Sequence, residues 1–445
     1  MTINRRNFLK GVAGVSGAAL AGSVAGFGSK GLFASESGGG LRALPSPHQS
    51  GIEHIIVVTM ENRSFDHFLG WVPGTNGMQA GLKYLDPHGK SHSTYPLAPD
   101  WKGCGHLDPD HSYDGARVEY DGGKMDGFLL DTANDVYCIG YYGQKNIPFY
   151  ADLALNYTTL SQSYPSILGP TFPNRIFMHA AQTDRLTDSP IPSFLPTIWD
   201  NLQAAGVSAN YYYSNVPFLS LWGLKYNSIT KTYSQFMEDL KNGTLPSVSY
   251  VDPAFTILDI DLGTDDHPHD DIHRGDAFLS QTFHAVAKSP VWDSTVFIVT
   301  FDEWGGFFEH VPPPRAIAPN NVDPDLVDGK ALLGFRVPTV IASPFTRGNP
   351  NNPRVNSEVY DHTSILKLIE WRWNIPPLTK RDSPNDTDVN NMVDALDLQH
   401  PMNTVPSLPH PAMPFPIPCL DPSSRRPTEW EGLLRSGLLK GWTLP

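Results

Sequence analysis

The sequence predicts an α/β protein, with a mostly parallel central sheet and helices on both faces. Two observations carry that expectation. Four short segments, at 55–59, 247–251, 296–301 and 337–343, are rich in apolar, β-branched and aromatic residues in near-continuous runs. That is the pattern of strands buried on both faces. Between them lie stretches with apolar residues at helical spacing, such as 277–287 and 363–373, and strands alternating with helices build a parallel sheet.

The chain begins with a segment that does not belong to this scaffold. Residues 4–11, NRRNFLKG, put Arg5 and Arg6 just before a Gly/Ala/Val-rich run at 11–26. This is the shape of a twin-arginine export signal, so residues 1–34 are expected to be removed. The apolar run is short and full of Gly, Ala and Ser for a membrane span. Its expected partner is the twin-arginine translocation machinery, and the expected location is periplasmic or secreted. Removal takes the formal charge from -14 to about -18. An acidic chain without a Lys/Arg run offers no counterion release, which argues against nucleic acid as a partner. A monomer is expected.

The first strand, 55–59, runs abruptly into Glu61, Asn62, Arg63, Ser64, Asp66 and His67. In an open parallel sheet, ligands bind beyond the carboxyl ends of the strands. The strand 296–301 delivers Asp302 and Glu303 to the same kind of place. Three carboxylates gathered there repel one another unless a cation sits among them. A divalent metal held by Glu61, Asn62, Asp302 and Glu303 resolves the conflict, whereas for one such pair alone a helix cap by Asn62 or Ser64 suffices. Oxygen ligands suit Ca²⁺, Mg²⁺ or Mn²⁺, and Zn²⁺ also accepts carboxylates.

Residues 74–148 are rich in Gly, Asp, Tyr and His and read as a loop-rich insertion above the sheet. Within it, LDPDHSYDG at 107–115 adds His111. Residues 169–175, GPTFPNR, hold the hydroxyl of Thr171 between prolines that stiffen the turn. An alcohol needs activation to act as a nucleophile, and a nearby dication is one source. At 265–271, DDHPHDD sets two histidines among aspartates, the composition of an acid/base histidine oriented by a carboxylate. The catalytic domain is expected to span 50–380. Residues 381–445 become Pro-rich and polar, a wrapping tail that ends in an amphipathic piece at 428–439. Cys104, Cys138 and Cys419 are too few for a disulfide framework or zinc cluster. One bridge is expected, between Cys104 and Cys138.

Together, MENRSFDHFLGW, GPTFPNR, DIDLGTDDHP, FDEWGGFFEHVPPP and YDHTSILKLIEWRW resemble the phosphoesterase family that contains non-specific phospholipases C and certain bacterial acid phosphatases. The resemblance runs in order from Glu53 to about Asp382 and implies an alkaline-phosphatase-like fold. It implies Glu61 and Asn62 as one metal-binding pair, and Asp302 and Glu303 as the other. Thr171 would be the nucleophile, and His267 would protonate the leaving group. His111 and His310 would hold phosphate oxygens, although His310 serves equally well as support for the loop before Pro312. His269 stands out of step with the plant members, and Trp304 stands where many members have His. The activity implied is that of a phospholipase C, cleaving phospholipids such as phosphatidylcholine at a membrane surface through a phosphothreonine. Its nearest rival is an acid phosphatase acting on monoesters. Further off are a metal-independent glycoside hydrolase and an exported metal-binding protein without turnover.

Overall fold

The computed structural model describes residues 44–131, 133–257, 261–419 and 428–445, so the expected export signal lies outside the described residues. Its centre is an eight-stranded sheet. In chain order the strands are β1 (His54–Met60), β2 (Thr158–Leu160), β3 (Ala209–Tyr213), β4 (Thr230–Thr232), β5 (Val248–Val251), β6 (Thr295–Phe301), β7 (Val340–Ala342) and β8 (Arg354–Asn356). Across the sheet they run β8-β2-β7-β6-β1-β5-β3-β4. β6, β1, β5, β3 and β4 are mutually parallel. β7 alone is reversed, antiparallel to both β6 and β2. The expected strand at 337–343 thus exists in shortened form and runs against its neighbours.

The alternation of side chains explains the unbroken apolar runs. Ile55 and Val57 of β1 enter one core, with Ile176 of the helix Thr171–Ala180 and Ile365, Leu366 and Ile369 of the helix His362–Trp373. Ile56, Val58 and Met60 enter the other, with Phe278 and Phe283 of the helix Ile272–Lys288. A strand wetted on neither face has no place for a polar alternate. The expected segments 277–287 and 363–373 lie inside those last two helices.

Register decides what happens at the strand ends. β1 and β6 pair residue by residue up to Met60 opposite Phe301, and the Asp302 N–H still donates to the Met60 carbonyl at 3.1 Å. Glu61 and Asp302 therefore emerge side by side. Val58 lies opposite Val251 of β5, so Asp252 emerges on the other flank of β1.

The insertion carries short strands at Lys83–Leu85 and Ser91–Ser93 and the helix Tyr113–Tyr120. Two contacts fasten it to the sheet end. His269 Nε2 meets the His106 carbonyl at 3.0 Å, and Trp304 Nε1 donates to Glu119 at 2.8 Å. The disulfide corrects the sequence expectation: Cys104 bonds Cys419, not Cys138. Cys138 is a buried thiol packed beside Phe128, Leu129 and Phe308, and it donates to the Phe128 carbonyl. The expected amphipathic end forms the helix Glu429–Arg435, which buries Trp430 and Leu433.

Candidate active site at the carboxyl ends of β1, β5 and β6

β1 ends because Asn62 turns into the left-handed region, at φ 59, a conformation that costs most residues and that Asn tolerates. The turn fits only because Gly305 lies against it. A Cβ there would sit 2.2 Å from the Asn62 carbonyl. Ser64 then caps the short helix Phe65–Leu69, and Arg63 donates to the Asp266 carbonyl at 2.7 Å. His67 is tied to the insertion through the Gly140 carbonyl at 2.8 Å. Burial holds it well below the usual imidazole range, hence neutral.

The strongest feature of the site is Arg175, the last residue of GPTFPNR, to which the motif alone assigns no role. Its guanidinium reaches Asp302 at 2.8 Å, Glu61 at 2.9 Å and Asp252 at 3.1 Å. One planar cation thereby joins the ends of β6, β1 and β5. Asp302 also accepts the backbone N–H groups of Asn62 at 3.4 Å and Glu303 at 2.8 Å. Burial pushes Glu61 well above the usual carboxylate range, opposed by Arg175 and assisted by Asp302. Burial likewise raises Glu303, opposed by His111.

Thr171 opens the helix Thr171–Ala180 and is fully buried. The turn before it is locked by Asn174, which donates to the Gly169 carbonyl at 2.7 Å and accepts from the Ile167 N–H at 3.1 Å. Asp188 receives the next amide, Phe172 N–H, at 2.7 Å. Burial pushes Asp188 up to about 6.

The histidines divide. His111 Nε2 lies 3.3 Å from Asn62 Nδ2, and its Nδ1 meets the Pro109 carbonyl at 2.8 Å. The His111 and His267 rings are 6.0 Å apart. The His267 N–H donates to Asp265 at 3.2 Å, and its Nε2 is 3.8 Å from the Asp108 carboxylate. Burial alone would depress His111, but Glu303, Asp108, Glu429 and Asp188 together hold it well above its usual range. His310 is engaged elsewhere. Its Nδ1 meets Asp66 at 2.5 Å, in an ionic cluster where Arg336 bridges Glu309 at 2.6 Å and Asp66 at 3.3 Å.

The donor set suits a divalent cation. Asn62 Oδ1, Thr171 Oγ1 and Glu303 Oε1 are buried oxygens without a hydrogen-bond partner, and such atoms call for a ligand. Hard oxygen donors among several carboxylates are the surroundings that Mg²⁺, Ca²⁺ or Mn²⁺ favours. Two sets bring three carboxylate or imidazole atoms within 4.8 Å of one another here: Asp108, His111 and His267, and Glu61, His267 and Glu429. Asp302 and Glu303 belong to neither set. A cleft of about 200 Å³ opens beside them, lined by Asp108, His111, Tyr113, Pro170 and Asp188 among others.

The phosphoesterase family profile matches residues 52–376. The chain belongs to the phosphoesterase family. Its curated relatives include non-specific phospholipase C1 of Arabidopsis thaliana, 31% identical over 76% of this chain and 70% of that protein. Phospholipase C A of Mycobacterium tuberculosis is 31% identical over 83% of this chain and 82% of that protein. Among solved structures, an alkaline phosphatase superfamily protein from Vibrio parahaemolyticus is 12% identical over 79% of this chain and 72% of that one, with a TM-score of 0.37. This phosphoesterase is a hydrolytic enzyme. Its matched region holds Glu61, Asn62, Thr171, His267, Asp302 and Glu303, and stops before the helix Glu429–Arg435. Asp188, Asp252, Glu429 and Trp430 escaped the sequence reading, because none stands in a motif.

Proposed function

We propose that this phosphoesterase is a metal-dependent phospholipase C. It would release diacylglycerol and a phosphorylated headgroup from phospholipids such as phosphatidylcholine. The observation that carries the reading is the Thr171 hydroxyl. It is buried and without a partner at the positive end of a ten-residue helix, where backbone dipoles favour an anion. The relatives named phospholipase C support the lipid substrate.

Glu61, Asn62, Asp302 and Glu303 are the residues proposed to hold the metal. When bound, it supplies positive charge that stabilises the phosphoryl oxygens as negative charge builds on them. The rest falls to the chain. Thr171 Oγ attacks phosphorus, its proton passing to solvent, and an Oγ–P bond forms as the bond from phosphorus to the diacylglycerol oxygen breaks. His267 gives its proton to that departing oxygen. Water, losing a proton to His267, then attacks phosphorus; the P–Oγ bond breaks, the headgroup phosphate leaves, and Thr171 Oγ takes a proton back from solvent. Arg175 fixes the Glu61 and Asp302 carboxylates so that neither must reorient during the reaction. Export by the twin-arginine route to the periplasm or beyond is part of the proposal, and the Cys104–Cys419 bridge suits an oxidising compartment.

The test is Thr171→Ala on phosphatidylcholine vesicles, with a soluble phosphomonoester assayed in parallel. We expect the wild type to release phosphocholine, and the variant to lose at least about a thousandfold, some 4 kcal/mol of barrier. Turnover within tenfold of wild type would exclude the nucleophile. A wild type active on the monoester alone would make the protein a phosphatase.

A further inference from the structure

The site draws on residues beyond the region that the family profile matches. The helix Glu429–Arg435 lies beyond the matched region, and two of its residues reach in. Trp430 is fully buried. Its indole Nε1 donates to both carboxylate oxygens of Glu61, at 3.1 and 2.9 Å. The ring stacks on Phe255 with centroids 3.5 Å apart and planes 9° apart. The Arg175 guanidinium lies 5.3 Å from its centroid. Glu61 is thus gripped from two sides, by a cation and by an indole N–H. Glu429 stands one residue earlier. Its carboxylate lies within 4.8 Å of ligand atoms of both Glu61 and His267, and its Oε1 is buried without a partner.

The helix is fastened from both directions. Thr428 donates to the Thr256 carbonyl at 3.1 Å, and the Tyr213 hydroxyl donates to the Thr443 carbonyl beyond the helix. Upstream, the Cys104–Cys419 bridge ties the tail to the insertion, and the Ile417 N–H donates to Asp261 at 2.5 Å. A segment needed only to cover apolar surface has no reason to bring an indole N–H and a carboxylate up to Glu61.

We propose that the C-terminal helix is a working part of the active site, with Trp430 the positioning residue of Glu61 and Glu429 a second carboxylate, besides Asp108, that positions His267. The inference rests on the reading of Glu61 as a metal ligand and of His267 as the proton donor. An unheld Glu61 would sample other rotamers and would have to be ordered each time a cation binds, at a cost in affinity. A carboxylate beside His267 can hold the ring oriented so that its N–H faces the departing oxygen.

Trp430→Phe keeps a ring to stack on Phe255 and removes the N–H. Calorimetric titration of the metal-stripped protein with Mn²⁺ should then give a Kd at least fivefold weaker than wild type, with the melting temperature of the stripped protein little changed. Glu429→Gln should lose at least tenfold in kcat on phosphatidylcholine and less than threefold on p-nitrophenyl phosphorylcholine, whose good leaving group needs no proton. Replacement by Asp should restore part of the loss. A wild-type Mn²⁺ Kd in Trp430→Phe overturns the role of Trp430. An equal loss on both substrates, or none, overturns that of Glu429. If the wild-type protein itself takes up no Mn²⁺ and cleaves neither ester, the underlying reading fails and the inference falls with it.

Discussion

Arg175 does at the scale of one side chain what a metal was expected to do alone. Glu61, Asp302 and Asp252 are all buried around its guanidinium, and the planar fork reaches three carboxylates at once, which an ammonium does not. Removing it would strand those charges. Arg175→Met should therefore cost about 3–5 kcal/mol of stability, measured by urea unfolding of the metal-stripped protein. Added Mn²⁺ should recover part of that loss if the carboxylates can still gather around a cation. Equal stability of variant and wild type would mean that the carboxylates are protonated without the arginine. Nothing in the composition of GPTFPNR distinguishes this arginine from a surface one. Its meaning comes from partners at 61, 252 and 302, which only the fold brings together. The pairs after β1 and β6 stand out in the sequence, because a polar cluster directly after a buried strand is itself a local pattern, whereas Thr171 opens a helix after a turn and gains a role only through the family resemblance. Trp430 and Glu429 were not, since an amphipathic helix near a chain end reads as covering surface.

At the scale of elements, the helix Thr171–Ala180 joins the site to the core. Its first residue is the proposed nucleophile, and its last turn carries His179 into an aromatic nest of Trp199, Tyr211, Phe218 and Tyr250. Burial, and secondarily Arg175, depress this imidazole to about 3. The sign follows from the reference state. A histidine free near 6.5 when unfolded, and held at about 3 when folded, contributes stability that is complete above pH 6.5 and is lost as pH falls toward 3. The full span corresponds to about 4–5 kcal/mol. His179→Phe should flatten the fall in unfolding free energy between pH 6 and pH 4 relative to wild type; parallel curves would show that His179 titrates normally. The elements themselves were largely readable. The segments 277–287 and 363–373 fall inside helices, and three of the four expected strands coincide with β1, β5 and β6. The direction of β7 was not readable, because nothing within a short apolar run records which way its neighbours point.

At the scale of the whole molecule, one covalent link closes a very long loop. Cys104 and Cys419 are separated by 315 residues, and a loop of that size gives up about 6 kcal/mol of unfolded-chain entropy when bridged. The Cys104→Ser, Cys419→Ser double variant should melt several degrees lower than wild type. Because the bridge holds the tail upstream of Trp430, the variant should also bind Mn²⁺ more weakly. Unchanged melting under non-reducing conditions would show that the bond does not form in the isolated protein. The pairing could not be read from spacing, since Cys104 and Cys138 are near in sequence while the tail's return to the insertion is a property of the complete fold.

The position of β1 has one more consequence, for how the molecule is made. The first strand to leave the ribosome becomes an interior strand of the sheet, and both of its neighbours, β5 and β6, begin beyond residue 247. Until roughly half the polypeptide has been synthesised, an apolar strand waits with no edge to join, and such delay exposes a chain to aggregation. Asp252 follows β5 directly and Asp302 follows β6, so the carboxylates become available to Arg175 one after another as the chain grows. A chain that stops short of β6 lacks Asp302 and Glu303, and with them half of the proposed metal site.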